Sequence, residues 1–145
     1  MDTTLKVSLA PGAKMPEYQT PGSSGADLYA LLADAVIIPP RSQAIIPTGV
    51  YVEIPNGYEV QIRSRSGLAA RESVSVLNSP GTIDSDYRGE ILVILFNHGG
   101  GAVTIAPGER VAQMVVCPVI RCNFETVDKL TPTARGEGRF GHTGK

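Results

Sequence analysis

No stretch of this 145-residue chain approaches the roughly 18 uninterrupted apolar residues that a membrane-crossing helix needs. The opening segment, MDTTLKVSLAPGAKMP, has no apolar stretch of the kind found in export signals. An excess of one charge is also lacking. Thirteen Lys and Arg against fourteen Asp and Glu leave a net charge of −1, so no basic face for a nucleic-acid backbone is expected. Cysteine is scarce: Cys117 and Cys122 have neither CxxC spacing nor a histidine cluster beside them. That argues against a metal site and predicts buried free thiols in a reducing compartment. No internal repeat or second domain is evident, and the length suits a single core. The expectation is a soluble, cytoplasmic protein without membrane or nucleic-acid partners. Nine of the thirteen cations are Arg, a bias toward two-pronged recognition of anions.

Turn-forming residues, by contrast, are abundant. Sixteen Gly and eleven Pro cut the chain into short pieces, most of which alternate apolar and polar. Leu5, Val7 and Leu9 show this pattern, as do Val50, Val52 and Ile54, then Tyr58, Val60 and Ile62, then Val74 and Val76. Period-2 alternation over short runs predicts half-buried antiparallel strands. Ile91–Phe96 is continuously apolar and predicts a strand buried on both faces; Val111–Val119 is similar, interrupted by Gln113 and Pro118. Only Ser66–Ser73 reads as a helix, two turns at most, with Ser66 as its N-cap. The class is therefore all-β with ten or more strands, a sandwich or jelly roll with one short helix. Residues 1–130 form the domain and 131–145 a flexible C-terminal arm.

Five segments carry candidate chemistry. In Gly25-Ala-Asp-Leu28 an acid, Asp27, interrupts an apolar strand, either as a turn or cap residue or as part of a site. Arg63-Ser-Arg-Ser-Gly-Leu68 runs from a strand into a helix start, where unpaired N–H groups and the dipole favour phosphate; two solvated arginines are the alternative. Asn78-Ser-Pro-Gly81 has turn chemistry and predicts a hairpin that gathers Asp84, Asp86, Tyr87 and Arg88; a solvated turn with a surface Asp–Arg pair is the alternative. Two acids two residues apart on a strand share a face. Pro107–Met114 is a turn leading to a strand with one polar residue, Gln113, which is either part of a site or a satisfied polar group on the wet face. The tail from Arg135 to Gly144 is too polar to form a core. It is a solvated end, or else an arm whose glycines, arginines and Phe140 close over phosphates and a base.

In order and spacing, GADLYA, RSRSGLA, GTIDSDYRGE, PGERVAQM and RGEGRFGHTG closely resemble the five motifs of the trimeric dUTP pyrophosphatases (dUTPases). The resemblance runs from about residue 22 to residue 144. It implies a distorted jelly roll of the β-clip, dUTPase-like kind, and a homotrimer with three shared sites, each closed by the arm of a neighbouring subunit. It also implies Mg2+-dependent hydrolysis of dUTP to dUMP and pyrophosphate, which keeps uracil out of DNA and supplies dUMP for thymidylate synthesis. By the same resemblance Asp84 is the base that activates water for in-line attack on the α-phosphorus, and it accepts a hydrogen bond from the sugar 3′-OH. Tyr87 packs on the deoxyribose and leaves no room for a 2′-OH. Asn78, Gly81, Thr82 and Ile83 belong to the loop that reads uracil. Arg65, Ser66, Gly67 and Gln113 bind phosphates, and Asp27 meets the metal through water. Arg135 clamps the γ-phosphate, Phe140 covers uracil, and Gly141, His142 and Thr143 add phosphate contacts.

Two positions depart from the family pattern: Ser64 stands where proline is usual, and Arg139 where glycine is usual. If the glycine serves a left-handed backbone, Arg139 is strained there; otherwise it points outward and adds a contact. Two other functions fit part of the pattern. A deaminase acting on dCTP would release ammonia, and a nucleotide-binding protein without turnover would bind but form no pyrophosphate.

Overall fold

Alternation of apolar and polar residues shapes the architecture, because many of the short strands bury one face. The computed structural model describes residues 3–144; Met1, Asp2 and Lys145, at the outer ends of the expected domain and arm, lie outside the described residues. Among the described residues there are ten strands and one helix. The strands are β1 (Lys6–Leu9), β2 (Ala26–Tyr29), β3 (Val36–Ile38), β4 (Gln43–Glu53), β5 (Tyr58–Arg63), β6 (Val74–Val76), β7 (Gly81–Ile83), β8 (Glu90–Asn97), β9 (Val103–Ile105) and β10 (Arg110–Pro118). The helix α1 spans Ser66–Glu72. All strand pairs are antiparallel. One sheet has the order β1-β4-β8-β6 and the second β2-β10-β5-β7, with β3 and β9 forming a short ribbon. The core includes Leu28, Ile46, Val50, Val60, Val93, Leu95 and Val111, drawn from both large sheets. The result is an all-β, jelly-roll-like fold.

Three local predictions are corrected. The apolar run in β8 is buried on one face only: Ile91, Val93 and Leu95 are buried, whereas Leu92 is 46% exposed and Ile94 and Phe96 are half-buried. A continuous apolar run therefore does not mark a strand covered on both sides within one chain. The thiols are not buried either. Cys117 is half-buried because it lies near the end of β10, and Cys122 is exposed beyond that strand. Finally, Asn78–Gly81 does not close a hairpin. β6 pairs with β8 and β7 with β5, so this turn carries the chain from one sheet to the other.

Candidate active site

Strand β2 delivers Asp27 into a buried position between two arginines. Arg65 Nε donates to Asp27 Oδ1 at 3.2 Å and Arg110 Nη1 to Oδ2 at 3.1 Å, and Arg65 Nη1 also donates to the carbonyl of Arg110 at 3.3 Å. A buried carboxylate needs such partners, since an unpaired charge away from water is costly. Asp27 is thus neither a turn nor a cap residue. It belongs to a cleft of about 340 Å3 whose walls also include Arg65, Ser66, Gly67, Arg110 and Gln113.

The cleft takes its shape from two backbone features. Arg65, not Ser66, is the N-cap of α1: its backbone is extended, it makes no side-chain capping bond, and Ser66 is the first helical residue. The first helical hydrogen bond runs from the Ala69 N–H to the Arg65 carbonyl. Gln113 Nε2 donates to the Ser64 carbonyl at 3.0 Å. A Cβ at Gly25 would collide with Gln113 Oε1 and come within 3.1 Å of its Cβ, so only glycine leaves the amide where it is. Gly25→Ala is expected to expel the Gln113 amide and lower the melting temperature by roughly 2–5 °C. Thermal unfolding checks this; an unchanged melting temperature would mean that Gln113 reorients without loss. Farther along β2, burial and the neighbouring Glu17 carboxylate hold the Tyr29 phenol above its usual range, consistent with its hydroxyl donating to Glu17 Oε2 at 3.1 Å.

A second group of expected residues follows β7. Asp84 and Asp86 lie in the turn after that strand rather than on one strand face, and both are exposed. The Tyr87 N–H donates to the Asp84 carbonyl at 3.1 Å, closing the turn. Arg88 Nη1 reinforces it by donating to the carbonyls of Ser85 and Tyr87 at 2.7 and 2.9 Å. The Tyr87 hydroxyl donates to the Glu90 carbonyl at 2.9 Å, which lays the ring over Gly89, where any Cβ would strike it. Its phenol oxygen is thereby occupied while 41% of the residue stays exposed. Before the turn, Gly81 sits opposite Ile62 of β5, with Thr82 opposite Gln61 and Ile83 opposite Val60. Asn78 lies just ahead of β7, and its Nδ2 would be 3.1 Å from a Cβ at Gly81.

Residues beyond Pro118 form neither strand nor helix among the described residues. Arg135 Nε donates to the Gly138 carbonyl at 3.1 Å, the His142 N–H donates to the Arg139 carbonyl at 3.1 Å, and Phe140 is fully exposed. Gly141 has φ of 76°, whereas among the described residues the only non-glycine positions with positive φ are Arg41 and Ser73. Arg139 therefore carries none of the left-handed strain that the glycine-to-arginine departure raised.

Within one chain, then, Asp27, Arg65, Ser66, Gly67 and Gln113 share a cleft. Asp84 lines a different one, with Tyr58, Glu59, Ser85, Asp86, Val119 and Arg121. The segment holding Arg135, Phe140, Gly141, His142 and Thr143 bonds only within itself. Sequence reasoning missed Arg110. Alternation would place Arg110 and Gln113, three residues apart, on opposite faces of a strand. The register shift in β10 between Arg110 and Ala112 accompanies their meeting at one cleft, and nothing in the sequence showed that Asp27 would face Arg110.

Two guanidinium groups beside a polar cleft on a jelly-roll-like fold are the kind of donor set that a phosphorylated ligand would need. The dUTPase family model matches residues 12–144, and the chain belongs to the dUTPase family. It is 55% identical over 138 residues to the deoxyuridine 5′-triphosphate nucleotidohydrolase of Chlamydia trachomatis serovar D, covering 94% of this chain and 95% of the relative. The corresponding enzyme of Anaplasma marginale is 52% identical over 140 residues, covering 97% of this chain and 95% of that one. Among solved structures, a variant of the Staphylococcus bacteriophage 80alpha dUTPase with dUpNHpp superposes with a TM-score of 0.89 at 28% identity, covering 99% of this chain and all of that one. A phage phi11 dUTPase variant, whose structure describes the coordination of a structural Mg(II) ion, gives 0.79 at 27% identity, covering 88% and 98%.

Proposed function

We propose that the protein hydrolyses dUTP to dUMP and pyrophosphate, with the triphosphate seated in the Asp27–Arg65–Arg110 cleft. The observation that carries this is the cleft itself, in a chain of the dUTPase family: Arg65, Ser66, Gly67 and Gln113 meet around it. Arg65 spends Nε on Asp27 and Nη1 on a carbonyl, and its remaining nitrogen is available to a phosphate oxygen. The N–H groups of Ser66 and Gly67 precede the first helical bond and offer further donors.

Among the described residues no three His, Cys, Asp or Glu side chains converge as a metal cage. Asp27 accepts one arginine bond on each oxygen, which leaves lone pairs on both for water. These donors fit Mg2+ carried by the triphosphate and its waters, with Asp27 touching the ion only through water. Bound there, the ion would offset phosphate charge. Asp84, exposed on its turn, takes the proton from the attacking water and orients it toward the α-phosphorus. Asn78, Gly81, Thr82 and Ile83 read the base. Uracil presents acceptor, donor and acceptor in sequence, and a cytosine amino group would leave fixed backbone partners unpaired. The Tyr87 ring bars a 2′-OH. Arg135, Phe140, Gly141, His142 and Thr143 close the site from another subunit.

Two features support a shared site in a homotrimer. The phosphate cleft, the Asp84 turn and the arm are separate within one chain. In addition, the outer face of the β4–β8 pair leaves apolar surface at Ile45, 56% exposed, and at Leu92. Uncovered apolar patches of this kind mark contacts between chains.

Pyrophosphate release with Mg2+ from dUTP, dCTP, dTTP and UTP, with ammonia assayed alongside, tests this function. Pyrophosphate from dUTP alone is expected. Ammonia from dCTP would make the protein a deaminase, and binding of dUTP without turnover would leave it a nucleotide-binding protein.

A further inference from the structure

Strand β6 is the edge of its sheet, and its Val76 N–H has no neighbour on that side. Leu77 N–H donates to the Ile94 carbonyl at 2.8 Å, so in the alternating antiparallel ladder Val76 N–H points away from β8. It donates instead to Ser64 Oγ at 2.9 Å. Val76 is 2% exposed, so no bulk water replaces this acceptor readily. Ser64 belongs to the other sheet's side of the molecule. It directly follows Arg63, the last residue of β5, and its carbonyl accepts from Gln113 Nε2 at 3.0 Å.

One residue thus links three segments. Its main chain holds Gln113, its neighbour Arg65 holds Asp27, and its side chain holds the strand from which the 78–83 turn departs. That turn is further tied at its start by a bond from Ser79 Oγ to the Val76 carbonyl. At its end it is tied by the pairing of Gly81 with Ile62, two residues before Ser64. A displacement of β6 at Val76 would therefore reach Asn78 before it reached Arg65.

We propose that Ser64 is a positioning residue for base selection, its hydroxyl fixing the take-off of the 78–83 turn relative to the phosphate cleft. This deepens the proposed function and rests on the assignment of that turn as the base-reading element. A proline at this position would offer no side-chain acceptor, so in this chain the Val76 N–H depends on the serine hydroxyl.

The test compares kcat/KM for dUTP and dCTP in the full-length wild type, Ser64→Ala, Ser64→Thr and Ser64→Cys, together with inhibition by inorganic tripolyphosphate, which samples the phosphate cleft alone. Ser64→Ala is expected to lower the dUTP-to-dCTP ratio roughly tenfold while the tripolyphosphate inhibition constant stays within about twofold. Ser64→Thr, which keeps the hydroxyl, should retain the ratio. Ser64→Cys keeps the volume with a weak acceptor and should lower it, so it carries the test if the alanine variant does not fold. An unchanged ratio in folded Ser64→Ala or Ser64→Cys would overturn the proposal. So would a parallel loss of tripolyphosphate affinity, which would indicate general loosening. Asn78→Ala separates the levels. If it lowers the ratio and the Ser64 variants do not, only the role of Ser64 fails; if it too leaves the ratio unchanged, the base-reading turn fails with it.

Discussion

Asp84→Asn should lower kcat on dUTP by roughly a thousandfold while leaving affinity for a non-hydrolysable dUTP analogue within a fewfold of wild type. The size follows from what a positioned general base contributes, on the order of 10² to 10⁴ in rate. Asparagine matches aspartate in shape and can still hydrogen-bond, but it cannot take the proton of the attacking water. The turn should survive the change, because it is closed by main-chain bonds: Tyr87 N–H to the Asp84 carbonyl, and Arg88 to the carbonyls of Ser85 and Tyr87. The Asp84 side chain is exposed, so no buried partner is lost. Steady-state kinetics and a binding isotherm on the same preparation decide the matter. A fall in binding equal to the fall in rate would remove Asp84 from the role of base and make it a substrate-holding residue.

Deleting residues 134–145 should abolish turnover almost as thoroughly, by roughly three orders of magnitude, and leave the fold and the proposed trimer intact. The first half of the expectation rests on Arg135, Phe140, Gly141, His142 and Thr143, which would be the only groups to reach the γ-phosphate and base from the open side. The second half rests on the core. Every residue of the hydrophobic cluster lies before residue 117, and the bonds of 133–144 run within that segment. Pyrophosphate assays, thermal unfolding and light scattering give the three readouts. A truncated chain that unfolds or dissociates would make the arm a structural element.

The strands were legible because alternation is a local property. Val50, Val52 and Ile54, Val60 and Ile62, and Val74 and Val76 each show one buried face in their own few residues. The route between strands was not legible. Asn78–Gly81 has the composition of a hairpin turn, but strand partners are chosen by the whole core, and here β6 and β7 join different sheets. The same limit applies to β8, where apolar residues on the outer face look alike whether another strand or another chain covers them. At the site, Arg65 and Gln113 could be picked out from segments that match a known pattern. The pairing of Asp27 with both Arg65 and Arg110 joins residues 38 and 83 positions apart, and no spacing rule reaches so far. For Ser64 the sequence showed only that the usual proline is missing; its hydroxyl accepts from the Val76 N–H, twelve residues on, through a contact between separate segments.

The two halves of the proposed substrate grip would differ in when their disorder is removed. Asp27 immobilises the guanidinium groups of Arg65 and Arg110 during folding, so the rotamer entropy of these side chains, about 0.5–1.5 kcal/mol each, is already gone when a triphosphate arrives. In the proposed site Arg135 and Phe140, both exposed on a segment whose hydrogen bonds stay within itself, would give up their freedom during capture. Capture should therefore proceed in two kinetic phases. A rapid, salt-sensitive encounter with the rigid cleft comes first, and a slower, concentration-independent closure follows, with the discrimination between a held and a released nucleotide resting on the second.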